Sequence, residues 1–180
     1  VRSDSGDVAM RDVTRVPIYV FAEGPKMVEL AGRLADALVY GGGISAEAIE
    51  WARTRASLGR VSGAGPLDIW YCAMVSIADT EQHAREAIVS RLAPRARRNV
   101  MTNPVLADEG VAEELESGHL SAQTFDRFGL VGTIDQVRDK VEQLRDRGVE
   151  RLMLDFLPST VEEQLPLFMA QLGMGQEVVS

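Results

Sequence analysis

An α/β protein built on a parallel sheet is the fold class the sequence predicts, and three observations predict it. Four short apolar segments, residues 16–22, 37–40, 68–77 and 151–157, are separated by stretches whose apolar residues recur at helical spacing. The segments are near-continuous in apolar character, as in Ile69-Trp70-Tyr71-Cys72-Ala73-Met74-Val75, where a strand wet on one face would alternate with polar residues. Of the 180 residues 46% are apolar, which is enough to bury a core and excludes a disordered or collagen-like chain.

The first strand, residues 16–22, runs into Glu23-Gly24-Pro25, where glycine can open a helix and proline suits its first position. Met27, Leu30, Ala31, Leu34 and Ala35 then trace a helical stripe. The second strand, 37–40, precedes Gly41-Gly42-Gly43, and Ile49, Ala52 and Ala56 form a stripe begun by Ser45. After the strand at 68–77 comes a helical excursion over about residues 79–132. It holds one helix from Thr80 to about Leu92 and a polar one over about 108–117, with residues 99–104 between them. The capping box Thr133-x-x-Gln136 opens a helix carrying Val137, Val141 and Leu144 and stopped at Gly148. Strand 151–157 is followed by a second box, Thr160-x-x-Glu163, and by the stripe Val161, Leu165, Phe168 and Leu172.

Strand–helix alternation implies parallel strands joined by helical crossovers, and the lack of linker composition or repeats makes residues 1–180 a single domain. Four such units are about half of an eight-unit barrel of roughly 250 residues. The strands at 16–22 and 151–157 then lie at open edges, so the chain is expected to be a homo-oligomer or to close in a doubly wound sheet. Val1 stands where an initiator methionine is usual, which suggests a truncated chain.

The charge balance excludes several function classes. With 27 acidic and 19 basic side chains, the formal charge of -8 argues against a broad nucleic-acid surface. No apolar run reaches the roughly 18 residues of a membrane span, and the first residues lack a signal-peptide core, so a cytoplasmic protein is expected. Cys72 is the one cysteine, and with only His83 and His119 no zinc-ligand spacing exists, so no metal is expected. Cys72 sits mid-strand as an inert thiol. His83 reads as a surface residue, and His119 lies in a turn where either role is open. No catalytic residue stands out.

Two strand-to-helix turns have the makings of an anion site. At Ala22-Glu23-Gly24-Pro25-Lys26 a strand ends just before a helix, whose unpaired N–H groups and positive dipole end suit a phosphate, and Gly24 permits close approach. An ordinary turn needing glycine for geometry is the commoner case on local features alone. The second, Gly41-Gly42-Gly43-Ile44-Ser45-Ala46, nominally fits the dinucleotide fingerprint G-x-G-x-x-A at Gly41, Gly43 and Ala46, but the acid that should close the next strand is missing. A third feature, the cluster Arg91, Arg95, Arg97 and Arg98, is most simply a solvated face, with an anionic coenzyme tail as the alternative partner.

The run Val-Pro-Ile-Tyr-Val-x-Ala-Glu-Gly-Pro-Lys-Met over residues 16–27, followed by Leu30-Ala31-Gly32-x-x-Ala35-Asp36-Ala37, resembles the second half of the bacterial-luciferase-like oxidoreductases. Gly132-Thr133-Ile134-Asp135-Gln136-Val137 and Gly148-Val149-x-x-Leu152-Met153-Leu154-Asp155-Phe156 are similar to that family's last two units. The resemblance implies strands five to eight of a (β/α)8 barrel with a helical insertion before the last unit. It further implies a flavin- or deazaflavin-dependent monooxygenase or reductase that uses FMN or coenzyme F-420 and a small-molecule substrate. The coenzyme phosphate would lie against Ala22, Glu23, Gly24, Pro25 and Lys26, with added contacts from Gly41 and Gly42. The family's first half, which carries most ring, substrate and proton-handling groups, has no counterpart here, so a non-catalytic half barrel that homodimerises is the rival expectation.

Overall fold

The computed structural model describes residues 16–107 and 110–172. Its strands are β1 (Tyr19–Ala22), β2 (Ala37–Tyr40), β3 (Asp68–Ile77), β4 (Gly129–Gly132) and β5 (Leu152–Phe156), all paired in parallel. Four of them are the apolar segments of the sequence, although the first strand starts at Tyr19, where its pairing with Ala37 of β2 begins. The sequence did not announce β4, a four-residue strand bounded by two glycines.

Register settles the order of the sheet. Tyr71 pairs with both Tyr40 and Leu152, while Met74 and Val75 pair with β4 and β5 at once. Since one residue has only two neighbours in a sheet, β5 holds one edge of β3, and β2 and β4 share the other in succession. The sequential path is therefore β1-β2-β3-β5, with β4 laid against the far end of β3. Gly129 is needed there, since a Cβ would lie 2.8 Å from the carbonyl oxygen of Met74.

Alternation along β3 sends its side chains to two cores. Tyr71, Ala73 and Val75 join Leu38, Tyr40 and Leu130 under a helical layer. That layer is α1 (Pro25–Leu34), α2 (Ala46–Gly59), α7 (Ile134–Asp146) and α8 (Val161–Gln171), contributing Val28, Ala31, Ile49, Ala52, Val137, Leu144 and Phe168. On the opposite face Met74 and Val131 meet Ala84, Ile88, Leu92 and Ala96 of α3 (Glu81–Thr102). Val111 and Leu115 of α5 (Val111–Ser117) and Phe125 and Phe128 of α6 (Ala122–Phe128) complete this second core, with α4 (Pro104–Ala107) linking α3 to α5. Towards β1 and β5 the same face stays open, with Tyr19 53%, Phe21 50% and Met153 37% exposed.

Several expectations need correction. The excursion's first helix does not stop near Leu92: α3 passes through Pro94 to Thr102, because its buried residues 84, 88, 92, 96 and 99 continue at helical spacing. Residues 99–104 therefore separate nothing until Asn103; the described part of the expected polar helix begins at Val111 after the N-cap Gly110, and positions 108–109 lie outside the described residues. Helix α1 buries Val28, Ala31 and Gly32, leaving Met27 and Leu34 exposed, so the predicted stripe is rotated. The box at Thr133 forms in full, and α7 ends as predicted, with Gly148 at φ +72° donating to Arg145 O and Val149 donating to Leu144 O. The box at Thr160 does not form, since no side-chain cap bond is made there, and α8 buries Gln164 and Phe168 while Leu165 is exposed.

Candidate functional site

The carboxyl ends of β1 and β2 open into the two glycine turns, which one backbone bond ties together: Gly41 N–H donates to Ala22 O at 3.0 Å. Gly24 is the N-cap of α1, in an extended conformation and without any side-chain cap bond, and Pro25 occupies the first helical turn. The first-turn N–H groups are therefore left to a ligand or to water. Lys26 and Met27 beside them are exposed, and no acid lies in that turn. A Cβ on Gly24 would meet Thr102 O at 3.5 Å, so the last turn of α3 covers one side of the turn and the open approach is over Lys26 and Met27. Amide donors, an exposed ammonium and no nearby unpaired acid are a donor set that suits a phosphate.

Glu23 is not such an unpaired acid. Its two carboxylate oxygens accept from Nε and Nη2 of Arg98 at 3.1 and 3.0 Å, a forked pair that in turn raises the Arg98 pKa. The glycines at 41 and 42 are explained by packing. A Cβ on Gly41 would collide with the Phe21 ring, and one on Gly42 with the Tyr40 hydroxyl, itself hydrogen-bonded by Asn103 Nδ2 at 2.5 Å. Burial pushes the Tyr40 pKa up, against the opposing effect of the Asn103 bond. Gly43 is the residue of the three with a positive φ, +112°. Of the predicted site residues, Ala22, Glu23, Gly24 and Gly41 are thus brought together, while Gly42 packs directly against Tyr40 and Asn103.

The arginine cluster is the feature the sequence placed least well. Arg91, Arg97 and Arg98 are exposed, as a solvated face requires, whereas Arg95 is largely covered, its side chain 11% exposed. Arg91, Arg95 and Arg98 lie on α3 beside the buried positions 92, 96 and 99 and reach the strand ends. Arg91 donates to Asp155 Oδ1 at 2.7 Å and to Phe156 O at 3.2 Å. Arg95 donates to Gly41 O at 3.2 Å and Cys72 O at 3.4 Å. Arg97 points elsewhere, to Leu115 O at 3.4 Å. The signal existed in the spacing 91-95-98 next to 92-96-99, but only for a helix continued past Pro94. Cys72 is buried, and His83 and His119 are exposed. Among the described residues no group of three His, Cys, Asp or Glu is placed to hold a metal ion.

A profile of the luciferase-like monooxygenases matches residues 2–151. The chain belongs to that family. No curated protein matches it in sequence. Among solved structures it is similar to the coenzyme F-420-dependent tetrahydromethanopterin reductase of Methanopyrus kandleri, at 18% identity and TM-score 0.55 over 87% of this chain and 49% of that one. It is also similar to long-chain alkane monooxygenase, at 18% identity and TM-score 0.55 over 87% and 41%. The oxygenating constituent of 3,6-diketocamphane monooxygenase from Pseudomonas putida, in complex with FMN, matches at 17% identity and TM-score 0.51 over 89% and 46%. The chain thus spans about half the length of these relatives. The fold read from the sequence, parallel βα units of a luciferase-like barrel with a helical insertion before the last unit, stands. Among the described residues no helix is long and apolar enough to cross a membrane.

Proposed function

We propose that this luciferase-like chain acts as a single domain supplying strands five to eight of a barrel that serves an oxidoreductase, holding reduced FMN or the deazaflavin coenzyme F-420 at the carboxyl ends of β1 and β2. The observation that carries this is the uncapped N-terminus of α1, with Pro25 in its first turn, facing the open side of the strand ends in a chain of this family. The amides of Lys26 and Met27 and the Lys26 ammonium hold the phosphate. Ala22 and Gly41, joined by their backbone bond, fix the distance between the two turns, and the Arg98–Glu23 pair keeps the Glu23 carboxylate from repelling the anion. Gly42 contributes by letting Tyr40 and Asn103 pack beneath the loop. When bound, the coenzyme supplies the hydride or oxygen chemistry on a small-molecule substrate.

Ring orientation and proton transfer need groups converging from several strand ends, and the carboxylates that the α3 arginines reach there, Glu23 after β1 and Asp155 in β5, are both ion-paired. The chain by itself is therefore expected to bind coenzyme without turnover. FMN should bind more tightly than riboflavin, and Gly24→Val, whose Cβ makes only ordinary contact with Thr102 at 3.5 Å while its methyls crowd the approach to the α1 amides, should remove that preference. Oxygenation of an organic substrate by reduced FMN and O2, or anaerobic hydride exchange between F-420 and an organic substrate, should exceed the spontaneous reaction only with an added N-terminal half. Equal affinity for FMN and riboflavin refutes the phosphate site, and robust turnover by the chain alone refutes the division of labour.

A further inference from the structure

Beyond the α1 turn, a cleft of about 400 Å³ opens between α3 and the open face of the sheet, lined by Phe21, Met74 and Met153 and by Arg91, Arg95 and Asp155. Its charges do not balance. The Arg98–Glu23 pair is closed on itself, and the remaining two guanidinium groups share one carboxylate: Asp155 Oδ1 takes Arg91 at 2.7 Å, while Oδ2 lies 3.9 Å from Arg95 Nη1. The Arg95 side chain is only 11% exposed, its Nη2 is spent on two backbone carbonyls, and its buried Nε has no hydrogen-bond partner. A buried cation short of acceptors calls for an anion, and the phenyl and thioether side chains around it call for an apolar body.

We infer that this cleft binds a small organic anion, an apolar body lying on Phe21 and Met153 over the buried Met74, with one carboxylate or phosphate on Arg91 and Arg95. The site does not depend on the phosphate turn at Gly24. Its ligand is a substrate anion or a coenzyme tail, and the two sources share the same recognition chemistry.

The test uses the whole chain with methyl-labelled methionine, so that Met74 and Met153 report the cleft by NMR. Benzoate is expected to shift both methyl signals at millimolar concentration, and neutral benzamide to leave them in place. Two variants should move affinity in opposite directions, a pattern that loss of folding cannot imitate. Arg91→Gln weakens benzoate binding by about tenfold, the loss of one charged hydrogen bond, and Asp155→Asn strengthens it severalfold by freeing both guanidinium groups. Adding FMN separates the sources: competition with benzoate assigns the site to the coenzyme tail, and simultaneous binding assigns it to a substrate. Absent methyl shifts, equal shifts with benzamide, or affinity unmoved by both substitutions overturn the inference, whatever becomes of FMN binding at Gly24.

Discussion

Tyr40 shows how one side chain connects the sheet to the candidate site. Its ring is fully buried, packs edge-on against Tyr71 at 6.1 Å, and gives its oxygen to Asn103, a residue 1% exposed at the foot of α3. Tyr40→Phe keeps the ring and orphans the Asn103 amide, so it should cost about 1–3 kcal/mol. A urea midpoint unchanged from the parent would show that the bond contributes nothing. The pH dependence has a definite sign. Burial raises the Tyr40 pKa above its ordinary 10.0, so the folded state keeps the proton longer than the unfolded one. That stabilisation is fully present below about pH 10 and is lost as the pH climbs towards the higher folded value. Tyr71, whose pKa burial also raises, adds to the same alkaline slope. Stability measured above pH 10 should therefore fall less steeply in Tyr40→Phe than in the parent.

At the scale of elements, the crossing of α1 and α2 explains why one stripe was misread. Counting apolar residues picked out Met27 and Leu34, which are exposed, and passed over Gly32, because glycine carries no hydrophobic signal. Yet Gly32 is where the helices touch, since a Cβ there would collide with the backbone oxygen of Ala56, as one on Gly59 would with that of Glu29. Gly32→Ala should thus destabilise by about 3 kcal/mol or more, although alanine favours helices by about 1 kcal/mol. A thermal midpoint equal to or above the parent's would mean the helices separate at no cost. Elements whose signal is local were legible: the strand at 68–77, the Thr133–Gln136 box and the Gly148 stop all form where their residues direct. What escaped depended on distant partners. Strand β4 exists only because Gly129 lets the chain approach Met74, and α3 outlasts Pro94 only because Ala96 and Asn99 are buried against the rest of the fold. The candidate site divides the same way. The turn at Gly24 was legible as a strand-to-helix junction, whereas Arg91 meets Asp155 across 64 residues, a contact no local pattern encodes.

For the whole molecule, the governing fact is that the sheet formed by the described residues has two open edges. Among the described residues β1 pairs only with β2 and β5 only with β3, so each offers a row of backbone donors and acceptors to another chain. The face between these edges is apolar and uncovered at Tyr19, Phe21 and Met153. Covering such a face and satisfying its edges favour association over a lone 19.6 kDa chain. Light scattering at micromolar concentration should accordingly give a mass above one chain that rises with concentration. Lysine at Tyr19 should shift the population towards the monomer, because it places a charge on the β1 edge without touching the core beneath α1 and α2. A parent protein that scatters as a compact monomer across that range would show that the open edges attract no partner, and would remove the reason to expect a homo-oligomer.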